Sequence, residues 1–156
     1  MSTYQHKADF ISRTRAILSK YEKIEQNYEK TLFLNCCLGL LIVPQQCVDH
    51  DNSIIINDIV DYPNWGIDET KITKNELGRG VNLLSVENIA YHIRNSICHY
   101  RFDILNQNVE TIKTIHIHDQ SSNGSSTFDM DLEFSDFKKF ILKYAEELEK
   151  IIRQNC

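Results

Sequence analysis

Apolar residues recur at helical spacing along four stretches of this chain and alternate with polar residues along two others. Steps of three, four and seven predict helices over residues 4–30, 31–43, 85–99 and 135–153. Period-two alternation predicts antiparallel strands over residues 109–118 and 127–134. The pattern therefore predicts a mainly α-helical bundle with one small β-hairpin, residues 109–134, before the last helix.

The first two predicted helices differ in how much of their surface is apolar. The second is apolar nearly all round and ends before Pro44, so we expect it to be buried on most sides. The first carries one apolar stripe, which is expected to face the core and consists of Phe10, Ile17, Tyr21, Ile24 and Tyr28.

Residues 47–82 follow neither period. Their acidic residues, glycines and Pro63 predict an irregular loop insertion, which we expect Trp65 to anchor. The spacing of the acids matches no calcium-binding loop, so they are interpreted as solvated. No repeat interrupts the pattern, and residues 1–156 are predicted to form one domain.

Composition limits the class of protein. The chain has a net charge of −5 and five cysteines without a Cys-x-x-Cys pair, which indicates neither a disulfide framework nor a zinc ribbon. Residues 1–7 lack the apolar stretch of a secretion signal, and the longest apolar run is too short to span a bilayer. We expect a cytoplasmic protein with no membrane association, whose acidic charge disfavours indiscriminate binding to nucleic acid.

The predicted helix 85–99, which Ser85 caps, has two different faces. One is an apolar stripe made of Val86, Ile89, Ala90, Ile93 and Ile97. The opposite face is polar, with the same spacing, and carries Asn88, His92, Asn95 and His99. We expect the first face to join the core and the second to be available for a function.

The polar face holds the residues with the clearest chemistry. Asn95 and His99 are four apart, so Asn95 is placed to orient the His99 ring. Arg94 and His99 are five apart, about 140° around the helix, which suits an arginine that reaches toward an anion held near a histidine. Arginine matches phosphate oxygens and histidine transfers protons near neutral pH. The plainer alternative is that Arg94 pairs with a loop acid while His99 is a cation favoured at a helix end.

Other histidines are weaker candidates. His116 and His118 share one side of a predicted strand, but no third ligand is evident and we predict no metal site. His92 either lines a cleft or is solvated. Together with Tyr100 and Arg101, which follow His99, it is predicted to contact a substrate.

The segment from Arg94 to Phe102, together with the apolar block from Thr31 to Pro44, resembles one branch of compact nucleases in the HEPN superfamily. The motif of the superfamily is an arginine, a polar residue, three further residues and a histidine. In this chain these positions are Arg94, Asn95 and His99. The resemblance implies a helical bundle, a two-fold homodimer, and RNA cleavage at the dimer cleft without metal or cofactor. It also implies a toxin–antitoxin or anti-phage setting with an antitoxin or defence partner. Members modified by a partner nucleotidyltransferase often carry a tyrosine two residues after the histidine, where this chain has Arg101.

Three functions are compatible with these residues. The intact motif favours a metal-independent endoribonuclease that uses the 2′-hydroxyl of its substrate. The acidic net charge favours either a HEPN-like module that binds RNA, a nucleotide or a partner without cleavage, or a structural or regulatory partner of a defence or toxin–antitoxin system.

Overall fold

The computed structural model describes residues 3–21, 29–42, 55–105 and 113–154. The chain forms two compact units, one made of Met1–Ile55 with Ile141–Cys156 and the other of Ile56–Phe140. Within the described ranges, no helix is long and apolar enough to cross a membrane. The prediction of a single domain over residues 1–156 stays a prediction.

The first unit contains helices α1 (Thr3–Tyr21) and α2 (Glu29–Cys37) and the last part of the C-terminal helix. A π-helical turn, Leu38–Ile42, continues α2 and ends one residue before the predicted boundary. Phe33, Leu40 and Leu41 are buried, as expected for an apolar helix. Part of the predicted helix 4–30, residues 22–28, lies outside the described residues.

The predicted core stripe of α1 is wrong at two positions. Phe10 and Ile17 are 45% and 55% exposed, whereas Ala8, Ile11 and Leu18 are buried. Both sets have helical spacing, so periodicity alone did not distinguish them. The buried set includes the small residue Ala8. The polar residue Thr14 is also buried, and its hydroxyl donates a hydrogen bond to the Phe10 carbonyl one turn earlier.

The second unit is built on a four-stranded antiparallel sheet. The strands are β1 (Ile72–Asn75), β2 (Phe102–Leu105), β3 (Thr114–Gln120) and β4 (Ser126–Glu133), in the order β1-β4-β3-β2. The prediction of a helical bundle with only a small hairpin is therefore wrong. The predicted hairpin strands 109–118 and 127–134 overlap β3 and β4, although β3 begins at Thr114 and continues to Gln120. In addition, β1 and β2 each add a strand to one edge of this hairpin.

The added strands explain why the fold class was missed. β1 lies in the segment predicted to be an irregular loop, which also contains the short helix α3 (Tyr62–Trp65) and a 3-10 turn, Glu69–Lys71. Trp65 is 4% exposed, and its ring centroid lies 5.9 Å from that of Phe140, so it anchors this segment as expected. Residues 47–54 and 109–112 of the predicted loop and hairpin lie outside the described residues.

Helix α4 (Val86–Cys98) packs against β3. Its apolar stripe is buried as predicted, and on the sheet Ile115, Ile117, Phe128 and Met130 are also buried. The Ser85 hydroxyl accepts a hydrogen bond from the amide of Asn88 and caps the helix, which confirms the predicted cap. Helix α5 (Phe134–Gln154) begins directly after β4, within one residue of its predicted boundaries.

Candidate functional site

The arginine–histidine motif lies at the C-terminal end of α4. Arg94 and Asn95 are half-buried in its last turns. His99 follows the helix as its C-cap, and its backbone amide bonds to the carbonyl of Asn95. The His99 side chain is exposed. The helix end therefore presents a partly covered guanidinium and an accessible imidazole from one short segment.

Asn95 connects Arg94 to the sheet. Arg94 Nη1 donates to Asn95 Oδ1 at 3.0 Å, and Asn95 Nδ2 donates to Asp119 Oδ2 at 3.2 Å. Both polar atoms of the amide are thus engaged, and in the described part of the chain no hydrogen bond joins this amide to the His99 ring. The predicted orientation of His99 by Asn95 is wrong, and the structure makes Arg94 the residue that Asn95 orients.

Asp119, which the sequence analysis did not single out, is the centre of this network. Its carboxylate is 3% exposed and lies on the buried face of β3 beside Ile115 and Ile117. Oδ2 accepts from His92 and Asn95, and Oδ1 accepts from Arg101 Nη1 at 3.1 Å and from the Gln120 amide at 2.8 Å. Burying a carboxylate without such partners would cost free energy of folding, and these hydrogen bonds offset that cost.

The pKa of Asp119 reflects two opposing causes. Burial alone raises the pKa of this carboxyl, but the hydrogen bonds from His92, Asn95 and the Gln120 amide outweigh it and leave the pKa below its ordinary value. The carboxyl is therefore ionised at neutral pH. It places one negative charge in direct contact with Arg101 and Asn95.

His92 lies inside the second unit and not on an open polar face. It is 2% exposed, and its ring is stacked on Phe128 at 4.8 Å. Nδ1 is hydrogen-bonded to Asp119 Oδ2 at 2.9 Å and Nε2 to the Glu76 carbonyl at 2.8 Å. Since both ring nitrogens are occupied, the geometry disfavours the predicted direct contact between His92 and a substrate.

Asn88, the first residue of the predicted polar face, is also buried. Its Oδ1 accepts hydrogen bonds from the amides of Gly78 and Arg79, and its Nδ2 donates to the carbonyls of Glu76 and Leu83. It therefore holds the loop that precedes α4. The prediction of a continuous exposed polar face is wrong for Asn88 and His92, and only the C-terminal end of that face reaches solvent.

The two residues after His99 differ in how they are held. Tyr100 has φ 56°, in the left-handed region, and its side chain is 83% exposed, with its ring centroid 5.1 Å from that of Phe102. Arg101 is 25% exposed and is tied to Asp119 and to the Gln120 carbonyl. The Tyr100 ring is therefore accessible to a ligand. The Arg101 guanidinium is already paired with Asp119, so a ligand would bind it in that paired state.

The outer face of the sheet carries a cluster of histidines and aspartates, which are residue types that can bind metal ions. His116 Nδ1 lies 2.7 Å from Asp131 Oδ1, and its Nε2 lies 3.6 Å from Asp129 Oδ2. His118 stacks beside it with ring centroids 5.6 Å apart. In the ranges that the structure describes, no three side chains are arranged to hold an ion.

Comparison with known proteins identifies a family for this chain. A family model described as HEPN pEK499 p136 matches residues 1–155. The chain therefore belongs to this HEPN family, which confirms the resemblance found in the sequence. Neither the curated proteins nor the solved structures contain a significant match.

Proposed function

We propose that this protein is an endoribonuclease that cleaves RNA without a metal ion. HEPN domains are often ribonucleases. The observation that carries the proposal is the placement of Arg94, which Asn95 holds through a 3.0 Å hydrogen bond at the same helix end as the exposed His99. One group is suited to bind a phosphate and the other to transfer a proton.

The roles follow from the chemistry of each group. Arg94 neutralises the phosphate and stabilises the charge that develops on it, and His99 moves protons at the reacting oxygens. The exposed ring of Tyr100 offers a surface on which a base can stack, and Arg101 adds positive charge beside it. In this proposal His92 has no contact with RNA and supports Asp119 instead.

The proposal includes a symmetric homodimer in the cytoplasm. Since the exposed part of the polar face is confined to the end of α4, the two-fold axis would lie near His99 and Tyr100, and each cleft would contain residues of both copies. The expected result in light scattering at micromolar concentration is a mass of twice 18.3 kDa. A protein that remains monomeric while it cleaves RNA would contradict the shared cleft.

A second function is favoured by one specific observation. Asp119 already neutralises Arg101, and the chain carries a net charge of −5, so the positive field at the site is weaker than the arginines suggest. Such a site suits a module that binds RNA, a nucleotide or a partner protein without cleavage. Under either function we propose a toxin–antitoxin or anti-phage setting, with an antitoxin or defence protein as the physiological partner.

Cleavage in excess chelator separates the two functions. Purified protein incubated with RNA and EDTA should cut at the same sites and rate as without EDTA, because arginine and histidine supply all the charge and proton transfer required. Arg94→Ala should lose at least about 10²-fold in rate, the usual cost of removing a transition-state donor. Wild-type protein that binds RNA but leaves it intact under both conditions would support the binding module.

A further inference from the structure

The Asp119 carboxylate determines which way the Asn95 amide faces. An ionised carboxylate only accepts hydrogen bonds, so the Asn95 NH2 group must point toward Asp119 Oδ2. The Asn95 carbonyl oxygen is then left to accept from Arg94 Nη1. Reversal of the amide would place an oxygen against the carboxylate and donors against the guanidinium, which are unfavourable contacts on both sides.

Asn95 also keeps the negative charge of Asp119 away from Arg94. Arg101 meets the same carboxylate directly, at 3.1 Å, and forms an ion pair with it. Arg94 instead meets a neutral amide, and among the described residues no carboxylate forms an ion pair with it. The Arg94 Nε atom is buried and has no hydrogen-bond partner within the described residues.

We propose that Asp119 is a positioning residue that acts through Asn95 to hold Arg94 in the orientation needed to bind a phosphate. The inference rests on the proposed ribonuclease function for its kinetic consequences. Its structural part, the effect of Asp119 on Asn95 and Arg94, stands without any reaction. Asp119 itself is expected to touch no substrate, because it is 3% exposed.

Asp119→Asn tests this role because it removes the charge and keeps the shape. An amide at position 119 can turn donors toward Asn95, so the Asn95 amide is no longer held in one orientation. We expect kcat to fall by about 10- to 100-fold, the usual result of a displaced catalytic group, while KM does not rise, because Arg101 loses the carboxylate that neutralises it. Asp131→Asn is the matched control, since this carboxyl is 54% exposed and forms its ion pair with His116 on the outer face of the sheet, not with Asn95 or Arg94. It should leave both constants unchanged.

A double-mutant cycle distinguishes positioning from a general loss of stability. In an Arg94→Lys background, which lacks the planar fork, Asp119→Asn should lower the rate by less than about threefold further. An equal loss in both backgrounds, or an unchanged kcat for Asp119→Asn alone, would overturn the proposal. Asn95→Asp provides a test that leaves Asp119 in place. It puts a carboxylate directly against Arg94 and should be slower than Asn95→Ala.

A spectroscopic measurement keeps the inference separate from catalysis. In 15N-labelled protein, Asp119→Asn should shift or broaden the side-chain signals of Asn95 and Arg94, while Asp131→Asn should leave them in place. If the wild type cleaves no RNA, the proposed function fails but these spectra still decide the role of Asp119. Unaltered Asn95 and Arg94 signals in Asp119→Asn would reject it whatever the activity.

Discussion

Replacing His99 with alanine should lower the rate of RNA cleavage by about 10²- to 10⁴-fold, the usual contribution of a general acid or base. The side chain is exposed and no described residue depends on it for a hydrogen bond, so the substitution removes almost no packing. The free energy of unfolding should therefore change by less than about 0.5 kcal/mol. Rates on a fluorescent RNA and a urea denaturation curve measure the two quantities.

Cys98→Ala is the matched control for this prediction. Cys98 precedes His99, is also exposed, and has no role in the proposed chemistry. It should retain the wild-type rate. If His99→Ala cleaves as fast as Cys98→Ala while both remain folded, His99 is not the proton-transfer group and the cleavage must use another residue.

The sequence predicted helix α4 well because its signals are local. Ser85 supplies a cap, an apolar stripe repeats along the 13 residues of the helix, and Cys98 and His99 lie where that stripe ends. The hydrogen bonds that define such a helix join residues four apart, so they are visible in a short stretch of chain. The alternation of β4 is likewise visible over eight residues.

The sheet could not be predicted from the same kind of signal. β1 has four residues with a single apolar side chain, Ile72, and it becomes a strand because it pairs with the free edge of β4, opposite Met130. β2 alternates over only four residues. Such strands are defined by pairing partners that are distant in the chain, which a local pattern does not contain. The expectation of a helical bundle with only one small hairpin was therefore wrong.

Only part of the candidate site was predicted, because some of its residues are also distant from one another in the chain. Arg94, Asn95 and His99 lie in one local motif, but Asp119 is 24 residues from Asn95 and 27 from His92. One signal was available in the predicted hairpin. An acid two residues after Ile117 and four after Ile115 lies on the same buried face of the strand, and a buried carboxylate requires hydrogen-bond donors there. Extending the strand by two residues would have shown that Asp119 needs donors from a neighbouring element.

The chemistry proposed for the cleft makes the ribose 2′-hydroxyl the nucleophile. Its oxygen attacks phosphorus while a base, His99 of one copy, takes its proton. The bond from phosphorus to the 5′-oxygen breaks, and an acid, His99 of the second copy, protonates the leaving oxygen. Arg94 holds the phosphate as the additional negative charge develops. The products are then a 2′,3′-cyclic phosphate and a 5′-hydroxyl.

An RNA with a single 2′-deoxyribose at the mapped cut site should resist cleavage at that bond completely, because the attacking oxygen is absent. Cleavage at other sites of the same molecule should continue, which provides the control within one lane of a gel. A deoxyribose placed one nucleotide downstream should have little effect, since it leaves the nucleophile in place. Mass spectrometry of the unmodified products should show the cyclic phosphate. Continued cutting at the modified bond would mean that water is the nucleophile, and it would reject this mechanism even for an active ribonuclease.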